Sequence, residues 1–247
     1  DLYPRESILA LSEINVVGVV PSNLSASVFT RYTLGNGKVI YYDTIQEAFQ
    51  IAIDASVRSS KRRNFVYLYL PDVDLSAHST GIYSAQTLNT ITQLNNMCEA
   101  MNNTIGGDTR VVMSADHGHL EAPENEKVRI KPEETLQDML LSEPSGDARV
   151  LYFRPKPACQ DKLRMRLCEI LGDNFAVMDL KEFLELGILG PRVSSVCMDR
   201  LGDVIAISKG VSALEYGSHS QGPSMMDLKS VHSGLSRQEM EVPLIVF

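Results

Sequence analysis

Phe65-Val66-Tyr67-Leu68-Tyr69-Leu70, stopped by Pro71 and followed by Asp72-Val73-Asp74-Leu75-Ser76-Ala77-His78-Ser79-Thr80-Gly81, is the stretch on which the fold turns. Six apolar and aromatic residues in a row have the length and composition of a buried strand, and a proline at the end cannot donate to a sheet ladder. Toward the N-terminus, Ile14 to Val20 is a β-branched run closed by Pro21. Thr44 to Ser59 then spaces Ile45, Ala48, Phe49, Ile51, Ala52, Ile53 and Val57 as a helix does. Toward the C-terminus, Tyr83 to Met101 carries Leu88, Ile91, Leu94, Met97 and Cys98 on one helical side, and Arg110 to Met113 is the next strand. This alternation of strand and helix predicts an α/β fold, an open and mostly parallel sheet with helices on both faces.

After His119 the texture changes. Leu120 to Pro132 is polar and reads as an exposed loop. A second alternating unit follows, with strands at Val150 to Phe153, Ala176 to Met178 and Asp203 to Ile207, and helices at Gln160 to Leu171 and Leu180 to Leu186. Tyr216 to Ser230 is rich in Ser and Gly and reads as loop, and Val242 to Phe247 closes the chain as a β-rich run.

The chain has 247 residues and a formal net charge of −8, which disfavours binding to a nucleic acid polymer through its phosphates. Small phosphate substrates stay open, because a metal or a single Arg neutralises them locally. No apolar run approaches the roughly 20 residues of a membrane-spanning helix, so no membrane span is expected. Cys98, Cys159, Cys168 and Cys197 form no Cys-x-x-Cys pair and read as free thiols of a reducing compartment, which points to the cytoplasm. The chain begins at Asp1 without Met and reads as a fragment or a processed product, so that export stays open.

Two segments after core strands offer metal-binding chemistry. Asp74 and His78 are one helical turn apart, so a helix puts a carboxylate and an imidazole on one face, donors that suit zinc. An Asp that caps a helix, with an unrelated His after it, accounts for the same letters. Asp72 is a rival to Asp74, with a longer spacing to His78. Ser114-Ala115-Asp116-His117-Gly118-His119 follows the strand ending at Met113, and ligands in open α/β sheets sit at such strand ends. Its bland reading is a polar turn, and His119 reads as a solvated turn residue, with a place behind the metal ligands as the alternative. A third segment, Val231-His232-Ser233-Gly234-Leu235-Ser236-Arg237-Gln238-Glu239-Met240-Glu241-Val242-Pro243-Leu244, holds a capping-box pair, Ser236 and Glu239. His219 is the rival to His232.

Together the three segments resemble the alkaline phosphatase superfamily, and most closely its type I phosphodiesterase and nucleotide pyrophosphatase branch. Asp74 to Gly81 is similar to that family's Asp-x-x-x-His-x-x-Gly segment, Asp116-His117-Gly118 to its Asp-His-Gly, and His232 to Leu244 to its closing His-Gly-Gly-Leu segment, with Ser233 where Gly is common. The resemblance implies two divalent metal ions, usually zinc, with Asp74, His78 and His232 on one and Asp116 and His117 as part of the other. It implies hydrolysis of a small-molecule phosphodiester, nucleotide pyrophosphate or phosphomonoester. It also implies an upstream strand and helix with a further metal-binding Asp and a Thr or Ser nucleophile. Nothing from Asp1 to Glu13 supplies them, since Ser7 and Ser12 lack that setting, and no residue of this chain is taken as the nucleophile. Residues 1–247 are then an incomplete alkaline-phosphatase-like domain with a variable or cap region at 120–221, and the absent N-terminal fragment is a candidate partner. The alternatives are another metal-dependent member, such as a phosphonate hydrolase or a phosphoglycerate mutase, and a non-catalytic remnant that binds metal or a partner.

Overall fold

The computed structural model describes residues 5–11, 13–57, 63–131, 136–217 and 224–247; Ser12 and His219 lie outside them. The chain divides into two compact units: Asp1–Leu75 with Leu88–Met113 and Leu244–Phe247, and Ser76–Thr87 with Ser114–Pro243.

The first unit is built on a parallel sheet. Strand β1 (Asn15–Pro21) is followed by helix α1 (Val28–Leu34), strand β2 (Lys38–Tyr42), helix α2 (Ile45–Ser56) and strand β3 (Asn64–Leu68), in the sheet order β2-β1-β3. Both ladders of β1 are parallel, and five of its residues in a row are buried, as expected of a central strand covered on both faces. Thr44 caps α2 by accepting from the Glu47 amide, and Ile45, Ala48, Phe49, Ala52 and Ala55 form its buried stripe. They pack on Val17, Val19, Tyr42 and Met101, and a fully buried Phe contributes roughly 1.5–3 kcal/mol relative to exposure. The Tyr42 hydroxyl donates to the Tyr69 carbonyl at 2.7 Å, and burial pushes that phenol's pKa well up. The chain is thereby pinned just before helix α3 (Asp72–Thr80), whose first turn carries Asp72 and Asp74 where the helix dipole favours anions. Gly81, at φ +97°, ends α3. Helix α4 (Ala85–Thr104) and strand β4 (Val112–Ser114) follow.

In the second unit the stretch expected as loop at 120–132 contains strands β5 (Leu120–Glu121) and β6 (Lys127–Ile130). The charges that made it look like loop are paired: buried Lys127 donates to Glu124 and to the carbonyls of Met226 and Leu228. Strands β7 (Ser145–Asp147) and β8 (Val150–Phe153) lead to helix α5 (Gln160–Leu171), strand β9 (Phe175–Asp179), helices α6 (Leu180–Glu185) and α7 (Ser195–Arg200) and strand β10 (Val204–Ser208). Their sheet has the order β7-β8-β10-β9, with β10 antiparallel to both β8 and β9. The β8–α5–β9 alternation therefore does yield two strands of one direction, but β10 enters between them in the opposite sense. Strand β11 (Ala213–Tyr216) pairs parallel with β6, and β12 (Ser230–Val231) antiparallel with β5. Helix α8 (Arg237–Met240) precedes β13 (Leu244–Val246), which pairs with β4. Among the described residues, no helix is long and apolar enough to cross a membrane.

Candidate metal centre

The site is assembled around Ser230, a fully buried residue of β12. His78, in the last turn of α3, accepts from the Lys229 amide through its carbonyl at 2.7 Å, and its Nδ1 lies 2.8 Å from the Ser230 carbonyl. A carbonyl only accepts, so Nδ1 carries the proton and the neutral ring has its lone pair on Nε2. Glu121, paired with Ser230 across the β5–β12 ladder, accepts from the Ile82 amide at 2.7 Å and so holds the chain just beyond α3.

The second segment leaves β4 at Ser114, whose hydroxyl donates to the Pro243 carbonyl at 2.9 Å. The Gly118 amide donates to the Glu239 carbonyl, and a Cβ at position 118 would fall 1.9 Å from the Gln238 oxygen, so only glycine permits this approach. His117 Nδ1 lies 3.1 Å from the Gly118 carbonyl, which again leaves the lone pair on Nε2. His119 Nδ1 meets the Ser230 hydroxyl at 3.1 Å. The Asp116 side chain is 73% exposed, with one oxygen on the His117 amide and the other 3.6 Å from His117 Nε2.

The third segment is held by a buried ion pair. Arg149 Nε donates to Glu239 Oε1 at 2.6 Å, and its remaining nitrogens reach the Ser208 hydroxyl and the Ser212 and Gly210 carbonyls. Glu239 also accepts from the Gly234 amide and from the amide and hydroxyl of Ser236, the pair that the sequence suggested as a capping box. Burial alone would raise its carboxyl pKa, but the hydrogen bonds from Ser236, Arg149 and Gly234 outweigh it and hold the group low. Ser233 adopts φ +87°, a left-handed conformation that glycine reaches without strain.

These elements bring four imidazoles together. Ring centroids are 4.8 Å apart for His78 and His119, 5.1 Å for His78 and His232, 5.1 Å for His119 and His232, and 5.3 Å for His117 and His119. His117 and His232 stack at 3.7 Å with their planes 14° apart. Asp74 stands one turn before His78 on α3. Asp74, His78 and His232 are side chains that could hold a metal ion, as are His117 and His119. Burial, and then the neighbouring His117 and His119, lower the His232 pKa against an opposing pull from Asp147. That favours the neutral ring, the form that ligates metal. His78, His232 and His117 thus lie in one cluster, while Asp116 faces water at its rim. His119, read from the sequence as a solvated turn residue, belongs to the cluster; its only sequence signal is the His-x-His spacing after Asp116.

A mixed α/β fold thus presents Asp and His side chains, from helix α3, the turn after β4 and the strap after β12, that could hold a metal ion. Residues 13–222 match the profile of the type I phosphodiesterase / nucleotide pyrophosphatase family, and the chain belongs to that family. Asp74, His78, Asp116 and His117 fall inside the matched stretch and His232 beyond it. No curated protein sequence matches the chain. Among solved structures, human ectonucleotide pyrophosphatase/phosphodiesterase 5 superposes with a TM-score of 0.69 at 12% identity, over 94% of this chain and 60% of that one. An inactive form of the murine protein in complex with AMP gives 0.67 at 12% identity, with the same coverage. Phosphonoacetate hydrolase from Sinorhizobium meliloti in complex with phosphonoacetate gives 0.63 at 16% identity, over 97% of this chain and 67% of that one. At these identities the likeness is one of fold, alkaline-phosphatase-like, and the chain spans about 60% of the length of the first relatives.

Proposed function

We propose that this chain carries the metal-binding residues of a hydrolase of phosphate esters, with a phosphodiester or nucleotide pyrophosphate as its small-molecule substrate. The observation that supports the reading is the pair of imidazoles, on His78 and His117, that donate through Nδ1 to backbone carbonyls and so present Nε2 lone pairs within one cluster. Tautomers fixed in this way are how proteins orient metal-ligating histidines. Asp74, His78 and His232 make one donor set for zinc, and Asp116 and His117 the core of a second. Bound ions supply Lewis-acid polarisation of the phosphoryl group and stabilise the attacking and leaving oxygens.

The chain's own residues fix where those charges stand. Ser230 and Gly118 orient the rings, the Arg149–Glu239 pair fixes the strap that carries His232, and Asp116 offers an exposed carboxylate at the rim. A chain of net charge −8 needs such a local cationic centre to hold an anionic substrate. The 120–221 region, with its own antiparallel sheet, is the part we assign to substrate choice. A second reading, phosphonate hydrolysis, is favoured by the likeness to phosphonoacetate hydrolase. All four cysteines are free thiols, which supports a reducing compartment.

The test is zinc-dependent hydrolysis of bis(4-nitrophenyl) phosphate, AMP esters and phosphonoacetate by the chain joined to an upstream segment that supplies the nucleophile, before and after chelation and after zinc is restored. Turnover that is lost on chelation and regained with zinc supports the proposal, and the preferred substrate separates the two readings. Zinc-independent turnover, or none on any of the three, contradicts it.

A further inference from the structure

A cavity of about 130 Å³ lies beside His78 and His232, and its remaining lining is Asp147, Ala148, Leu228 and Val231, all of the second unit. Ala148, Val231 and Leu228 belong to one packed apolar cluster, so that side of the cavity is hydrophobic. Among the described residues, no Lys or Arg lines it. Asp147 is the one carboxylate there, and a stiff hairpin holds it in place. It ends β7 opposite Val150 of β8, across the two-residue turn Ala148-Arg149. The Ala148 carbonyl accepts from the Leu214 amide at 2.7 Å, and the Arg149 side chain is the buried partner of Glu239 in the strap that carries His232. Carboxylate and imidazole therefore stand on one framework, and the Asp147 charge is felt at His232. Asp147 Oδ1 accepts from the Ala148 amide at 2.7 Å, while Oδ2 has no hydrogen-bond or ion-pair partner among the described residues.

A fixed carboxylate oxygen beside an apolar wall complements an ammonium group on a short alkyl arm, and it repels a second phosphate. The volume, about 130 Å³, is that of roughly four waters at ~30 Å³ each, which is room for a two-carbon ammonium arm. We infer that this cavity receives the alcohol arm of the substrate and that Asp147 selects an arm bearing an ammonium group. The inference rests on the phosphate-ester reading and narrows it: the favoured substrate is a phosphodiester of an amino alcohol rather than a nucleotide pyrophosphate.

The test compares kcat/KM for 4-nitrophenyl 2-aminoethyl phosphate and for 4-nitrophenyl propyl phosphate, whose arm has the same length without the charge, in the zinc-loaded protein of the hydrolysis assay above. The aminoethyl ester should be preferred at least about tenfold, the discrimination expected of one charge-assisted hydrogen bond. Asp147→Asn keeps an oxygen for the Ala148 amide and removes the charge, and it should bring the two esters to within about twofold of each other. Because a ratio is read, any loss of folded protein or of zinc affects both esters alike and cancels. Equal turnover of the two esters by the unaltered protein, or a preference that survives Asp147→Asn, would overturn the inference and leave the hydrolase standing. Turnover of neither ester would overturn both.

Discussion

Arg149 and Glu239, ninety positions apart, form an ion pair 2.6 Å long with side chains 0% and 1% exposed, and the two loops that carry His117 and His232 hang from the Glu239 end of it. Glu239 receives the Gly234 amide through its carboxylate and the Gly118 amide through its carbonyl. Removing one partner leaves a buried charge without its counter-ion, so Arg149→Met or Glu239→Gln should destabilise the protein by about 3–5 kcal/mol. The variant Arg149→Met with Glu239→Leu should lose less than the two single losses together. Urea unfolding of the four proteins measures this, and additive losses would contradict the coupling.

The same pair sets an acid limit. Glu239 has a folded-state pKa below its ordinary 4.5, so the unfolded chain binds more protons in that range and stability rises with pH. The contribution is complete above about pH 4.5 and is lost as pH falls through the folded value. A urea midpoint series from pH 7 to pH 3 should show a decline beginning near pH 4.5 that is shallower in Glu239→Gln; identical slopes would rule Glu239 out as its source.

Ser233 holds φ +87° without being glycine, at a cost of roughly 1–2 kcal/mol. Part of this is offset by the greater freedom of an unfolded glycine. Ser233→Gly should therefore raise stability by up to about 1 kcal/mol, read as a higher thermal midpoint with zinc affinity retained. A lower midpoint would mean that the Ser233 hydroxyl, 3.4 Å from the Arg149 amide, matters more than the backbone conformation.

Gly118 is the tight point between the Asp116-His117 turn and the strap. Gly118→Ala puts a carbon against the Gln238 carbonyl and should cost about 1–3 kcal/mol while displacing His117. Zinc affinity should fall with stability; full affinity in a destabilised variant would separate the glycine from the site.

Much of the first unit can be read in the sequence because its strands are continuous apolar runs and α2 has an unbroken buried stripe. Strand β6 is hidden because Lys127 and Arg129 interrupt it, and their partners Met226, Leu228 and Glu215 lie nearly a hundred residues away. The place of β10 between β8 and β9 is likewise a tertiary fact with no local signature. At the site, Asp74 and His78 are legible because a helical turn joins them, and His232 because its flanking residues match a family segment. His119 is not legible, since what makes it part of the cluster is the hydroxyl of Ser230, 111 positions further on.

The central claim is that these side chains hold zinc, and the most direct measurement is diffraction from zinc-loaded crystals of the full chain, collected on both sides of the zinc absorption edge. The account predicts anomalous peaks within the cluster, one at roughly 2.0–2.2 Å from donor atoms of Asp74, His78 and His232, and a second ~3.5–4 Å away beside His117. Peaks confined to surface carboxylates, with the four imidazoles unmoved and metal-free, would contradict it.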